Sequence, residues 1–278
     1  MSRILQANIF RLRKSRLFRW TVILTAMVTA VVVLLDSSSM GARIADYELE
    51  NIALSGAPFV QMIIAAVIVL FLGTDHSHKT IRNKLIVGSR RGEIYSANVL
   101  TGMVIGCAIN AAWLVGGLSG VPALGFWDME PDKAFMYIGM SFVCTVSLCS
   151  IAALFGMMIR SRSAAIVAAF AALFVLLAGA SMSEQRLSNN KEELSGHIVD
   201  DELVFEIAEN PDYVDGPMRA AFELALNANP MGISTMLSNK ELGNRDYSNP
   251  TVGLVGAAFV TIFVSSLGAA MFGRRDLT

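Results

Sequence analysis

Few side chains in this sequence are placed for chemistry. Cys107, Cys144 and Cys149 all lie in apolar runs, where thiols behave as small hydrophobes and no disulfide or zinc spacing is visible. His76 and His78 flank Ser77 beside Asp75, a pair that lacks the further ligand a metal would need. No serine or histidine has the partners that turn it into a nucleophile or a general base. The sequence therefore assigns no catalytic residue and no metal, and the chain reads as a non-enzyme. No G-x-x-x-x-G-K-[ST] loop occurs, so the chain holds no P-loop engine of its own.

Polar groups inside apolar runs are the next candidates. Gln61, Asn98 and Asn110 stand in otherwise apolar stretches, where an amide either bridges helices or faces a substrate path. None of these runs contains Asp, Glu, Lys, Arg or His. Proton relays usually need such groups, which argues against a proton-coupled carrier, although backbone carbonyls can bind sodium.

The elements that hold these residues follow from composition. Of 278 residues, 54% are apolar and 16% charged, with mean hydropathy +0.54. A soluble domain carries about 25% charge, and one soluble core cannot hide such an apolar excess at this length. The net charge of −1 excludes a strongly basic nucleic-acid binder. Charge-poor runs cover 20–35, 51–74, 94–127, 134–159, 163–183 and 251–273. A helix needs about 20 residues to cross about 30 Å of hydrocarbon. Four runs satisfy this plainly, the second does if it starts near Ile52, and the first must borrow Ser37–Ser39 or thin the bilayer. The sequence thus predicts an all-α polytopic membrane protein with six transmembrane helices.

Charge sets the orientation. With the amino terminus inside, segments 1–19, 74–96, 159–163 and 273–278 carry fifteen Lys and Arg against three acids, while 36–56, 123–133 and 182–250 carry seven against twenty. The positive-inside rule then puts both termini in the cytoplasm. The basic region before the first run is long and no small-x-small site follows Leu35, which disfavours a cleaved signal peptide. Within 1–19, Leu5, Ile9, Leu12 and Trp20 fall on one helical side, and Arg3, Arg11 and Lys14 on the other, with Arg16 intruding on the apolar side. That pattern suits a helix lying at the membrane interface, or else a topogenic tail.

Segment 74–96 is the most informative. Ile81, Leu85 and Ile86 recur at helical spacing among Lys79, Arg82 and Lys84, then Gly88-Ser89 breaks the pattern and a second helix starts at Arg91–Tyr95. Such a short basic amphipathic helix suits either a protein groove or an anionic lipid surface.

An acid after the second span, then Thr80-Ile81-Arg82-Asn83-Lys84-Leu85-Ile86, then Gly88-Ser89-Arg90 and Ile94-Tyr95, resembles the ABC-2 type permeases of bacterial ABC transporters. The ending Phe272-Gly273-Arg274-Arg275-Asp276-Leu277 is similar to that family's Phe-x-Arg-Arg-Asp-Leu ending. Lys79 stands where the family usually has glycine, and Asn98 where lysine is common. The resemblance covers the whole chain as architecture and about thirty residues as text. It implies two permeases, identical or related, and two ATP-binding subunits in a bacterial inner membrane. ATP and magnesium would be held by the partner chain and no cofactor by this one. Asp75, Thr80, Arg82, Asn83, Leu85, Arg90 and Tyr95 match the family pattern by position and would transmit closure of the ATPases. The implied activity is export of a hydrophobic or amphipathic compound such as a drug, lipid or antimicrobial peptide. A membrane sensor or immunity scaffold that binds a peptide outside, and an ion-coupled carrier, are the alternatives.

Four units result: 1–19 at the interface; 20–183 with spans one to five and the coupling segment 74–96; a long extracellular helical segment, 182–250; and 251–278 with the sixth span and a cytoplasmic tail. In the outer segment, Leu203, Val204, Ile207 and Ala208 suggest one amphipathic helix. Asp215-Gly216-Pro217 opens a second, with Met218, Ala221, Phe222, Ala225 and Leu226 as its stripe and Asn229-Pro230 as its stop. This unit is either a cap on the spans or a lid over an exit path. Gly102 and Gly106, the alanines at 164, 165, 168, 169, 171 and 172, and Gly253 with Ala257 allow close helix approach, within the chain or at a dimer seam.

Overall fold

A computed structural model describes residues 1–39, 53–77, 84–119, 130–199 and 202–274. The predicted site residues Thr80, Arg82 and Asn83, and also His78, lie outside them. Nine helices and one hairpin are defined there: α1 (Ser2–Lys14), α2 (Arg16–Ser39), α3 (Ala57–Ser77), α4 (Arg91–Leu118), α5 (Pro131–Met158), α6 (Arg162–Ser188), β1 (Glu192–Val199), β2 (Glu202–Glu209), α7 (Gly216–Ala228), α8 (Pro230–Ser238) and α9 (Pro250–Arg274). Six of them, α2 to α6 and α9, are long and apolar enough to cross a bilayer. α2 extends through Ser37–Ser39, the residues its short apolar run had to borrow. α4 ends at Leu118, where Ser119 closes the helix with its N–H and hydroxyl on Gly116, and the rest of the third apolar run, 120–127, lies outside the described residues.

One helix expected in the outer segment is a strand instead. Residues Leu203, Val204, Ile207 and Ala208 belong to strand β2, which pairs antiparallel with β1 from Glu192↔Glu209 to Val199↔Glu202. A short apolar run is ambiguous between helix and strand, and the valine, phenylalanine and isoleucine of β2 favour the pleated form. The second cap helix forms as expected. Asp215 accepts from the Gly216 N–H at the start of α7. Asn229 ends it and at once caps α8, accepting from the Met231 N–H.

α3, α4 and α5 form the buried centre, while α2, α6 and α9 have most of their surface outward. Small residues explain the closeness of the central helices. A Cβ on Gly106 would overlap the Cys149 sulfur of α5, and Gly102 lies against Ile68 of α3 and Ala153 of α5. Gly253 meets Met140 and Ile233, and Ala165, Ala169 and Ala257 are buried. These small residues pack within the chain. Ala164 and Ala171 face outward instead.

The helices alternate in direction and so give the bundle two ends. At the basal end, the Arg162 Nε–H donates to the Gly73 carbonyl at 3.4 Å, Arg91 donates to the Gly273 carbonyl at 3.1 Å, and the terminal ammonium lies 3.8 Å from Glu93. At the opposite, cap end, the Ser238 hydroxyl donates to the Ser55 carbonyl at 2.8 Å and Asn229 to the Leu176 carbonyl at 2.7 Å. These bonds seat α7 and α8 on the spans.

Candidate functional site

The basal end holds a buried charge cluster centred on Asp75, in the last turn of α3. A carboxylate there faces the negative end of a helix dipole, and Asp75 is wholly removed from solvent. Both effects oppose its charge unless cations offset them. Two do. Arg11 of α1 donates through Nη1 to Asp75 Oδ1, and Lys84 donates through Nζ to Oδ2 at 3.0 Å. The Arg11 guanidinium also stacks 4.4 Å from the centre of the Phe71 ring, an arrangement that favours arginine over lysine.

The cluster extends across the bundle through Asn8. Lys84 donates to Asn8 Oδ1 at 3.3 Å; Asn8 donates to Asn98 Oδ1 at 2.8 Å and to Thr101 Oγ1 at 3.2 Å; and Asn98 donates to the Met157 sulfur at 3.0 Å. One network thus ties α1, α3, the turn at residue 84, α4 and α5. It carries one acid and two bases, and the buried Nε and Nη2 of Arg11 have no hydrogen-bond partner.

Sequence reasoning found Asp75 and Asn98 but gave them separate roles, and it missed Asn8, Arg11 and Thr101. It set Arg11 on the outward polar side of α1 with Arg3 and Lys14. Arg11 instead turns inward beside the buried Ile4, Asn8 and Leu12, while Leu5 and Ile9 are half-buried and Trp20 is mostly exposed. The spacing Ile4, Asn8, Leu12 is a helical stripe with a polar residue at its centre, and that was the available signal.

Residues 84–86 form a helical turn. Gly88, with φ of 90°, closes it by donating its N–H to the Leu85 carbonyl, and Ser89 donates to the Lys84 carbonyl. This is the break expected at Gly88-Ser89, in a backbone conformation natural to glycine. Leu85 packs partly against the core, whereas Ile86 is 73% and Val87 85% exposed. Arg90 is exposed just before α4. Tyr95 is not at this surface. It is buried against Phe272, 6.1 Å between ring centres, with Gly268 beneath its hydroxyl.

Gln61 and Asn110 bridge helices. Gln61 donates to Thr145 at 2.9 Å and Asn110 to Ser141 at 3.0 Å, and the carbonyl oxygen of each amide is buried without a partner. Neither residue, nor Asn98, lines the apolar clefts between α2 and α3, α5 and α9, or α6 and α7. Cys144 and Cys149 are buried and unpaired, and Cys144 donates to the Pro230 carbonyl. Among the described residues no group of three His, Cys, Asp or Glu is placed to hold a metal.

At the cap end, Tyr247 donates to Glu241 at 2.8 Å, and Arg245 reaches the other oxygen of that carboxylate at 3.2 Å. Burial, and then this bond to Glu241, push the Tyr247 phenol above its ordinary range.

Six membrane-length helices with a buried centre define a multi-pass helical membrane protein. No protein-family model matches the chain, and neither does any curated protein.

Proposed function

We propose that this chain is the permease subunit of an ATP-driven exporter of the ABC-2 type, sitting in a bacterial inner membrane with its basal end in the cytoplasm. Two permeases, identical or related, work with two ATP-binding subunits. The ATP and magnesium chemistry belongs to those subunits. The solute is a hydrophobic or amphipathic compound, in keeping with the absence of charged side chains along the central spans between their ends.

The observation that carries this proposal is the attachment of the 84–90 turn. Its outer face offers Ile86, Val87 and Arg90 to a partner, and its inner face is anchored through Lys84 to Asp75 and Asn8. A push on the exposed apolar tip acts on Lys84 and hence on α3 through Asp75. Through Asn8 it also acts on α1 and α4. Rigid-body rocking of packed helices is how alternating access is usually produced, and a polar network with one satisfied arrangement transmits displacement better than an apolar slip plane. Orientation rests on the basic residues gathered at the basal end and the acids of the cap.

The test is purification from the native membrane followed by reconstitution. A stoichiometric ATP-binding chain should co-purify, and solute movement should require ATP. The pair Arg82→Ala with Leu85→Ala should leave the complex inserted and hydrolysing ATP while transport stops. Solute pumping by this chain alone would overturn the proposal.

A further inference from the structure

We infer that the cleft between α2 and α3 is a binding site for one alkyl chain of a membrane amphiphile. α2 leans on α4, where Gly116 meets the Ala26 backbone, and barely touches α3. The wedge left between them encloses about 430 Å³, within the range of small-molecule sites. Its floor is buried: Thr25, Val60 and Trp113 are each under a tenth exposed. Its mouth opens outward between Val28 of α2 and Phe59 and Ile63 of α3, all three exposed.

Length and polarity specify the occupant. Along α2 the cleft runs from Thr21 to Val32, about 16 Å at 1.5 Å per residue. That is roughly half of the ~30 Å hydrocarbon layer, a length one extended alkyl chain can fill. Along α3 it starts at Ser55, at the cap end, and reaches Ile63. No titratable side chain lines it. The hydroxyls of Thr21 and Thr29 donate to carbonyls of their own helix, Leu17 at 2.9 Å and Thr25 at 2.8 Å. A neutral, extended hydrocarbon fits such walls, whereas an ionised group would find no counter-charge. The headgroup then lies near Ser55, whose carbonyl already holds Ser238 of α8. The site needs neither ATP nor a partner, so it stands or falls separately from the proposed transport.

Trp113 is the reporter. With Trp20→Phe and Trp127→Phe, it is the only tryptophan left. The full chain is reconstituted in phosphatidylcholine vesicles containing increasing fractions of lipid brominated at mid-chain. Trp113 emission should fall by more than half at full bromination. Filling the cleft with Val28→Phe and Ile63→Phe should cut that quenching at least threefold, and widening its mouth with Phe59→Ala should preserve or increase it. Weak quenching of the parent would overturn the inference. So would a filled variant quenched as strongly as the parent, because the bromines would then be reaching Trp113 by another route. A Val28→Cys variant that forms a disulfide-linked dimer in the vesicles would also overturn it, by showing a second copy where the chain should lie.

Discussion

Replacing Asp75 with alanine tests the charge cluster directly. The change removes the single acid that both Arg11 and Lys84 address. It leaves Lys84 with 15% of its side chain exposed and Arg11 with 35%. Breaking a buried ion pair from one side costs about 3–5 kcal/mol, because the charge left behind is unpaired. The partial exposure of Arg11 lets water recover part of that, so about 3 kcal/mol is expected, a change of roughly 150-fold in the unfolding constant. Unfolding of the detergent-solubilised protein by a denaturing detergent would measure it, and the cost should persist in high salt because the pair is shielded from screening. The double variant Asp75→Ala, Lys84→Ala should cost at least about 1 kcal/mol less than the sum of the two single changes. A single-variant cost below about 0.5 kcal/mol, or strict additivity, would refute the reasoning.

Other consequences follow from single contacts. Gly268→Ala should destabilise sharply, since its Cβ would overlap the Tyr95 hydroxyl, and Tyr95→Ala in the same chain should restore expression and monodisperse elution. Gly106→Val drives into Cys149 and Thr145 and should cost about 1–3 kcal/mol by overpacking, read in the same unfolding assay. Asn229→Ala loses both the cap on α8 and the bond to the Leu176 carbonyl, so about 1–2 kcal/mol is expected, with faster proteolysis confined to the cap. The raised Tyr247 phenol means that the folded chain holds this proton more tightly than the unfolded chain. Its contribution is complete below the free phenol's value of 10.0 and is lost as pH climbs through the higher folded value. Tyr247→Phe should therefore flatten the alkaline limb of a stability-versus-pH curve, while lowering stability at neutral pH by about 1 kcal/mol for the lost bond.

The spans were legible because lipid imposes a simple rule: every backbone polar group must be satisfied within the segment, so run length nearly determines the helix. The stripe of α7 and the break at Gly88 were legible for similar local reasons. Arg11 was not. A helical wheel assigns an arginine to solvent, and only the distant Asp75 and Phe71 make the inward side favourable. The hairpin was misread because 203–208 is too short for periodicity to decide, and its partner strand, 192–199, showed no clear pattern of its own. Gln61 and Asn110 could be recognised as important, but which helices they bridge needed the positions of Thr145 and Ser141. Tyr95 matched the family pattern by position, but its burial against Phe272 and Gly268 could not be read from the sequence.

If the turn at 84–90 docks on a cytoplasmic ATP-binding subunit, as proposed, Val87, exposed at its tip, is the place to measure that contact. A Val87→Cys variant carrying a benzophenone maleimide, irradiated in inverted membrane vesicles, should yield one principal protein adduct, and its mass spectrum should identify an ATP-binding chain. Adducts with lipid alone, or labelling of position 87 by an impermeant maleimide in intact cells, would contradict it.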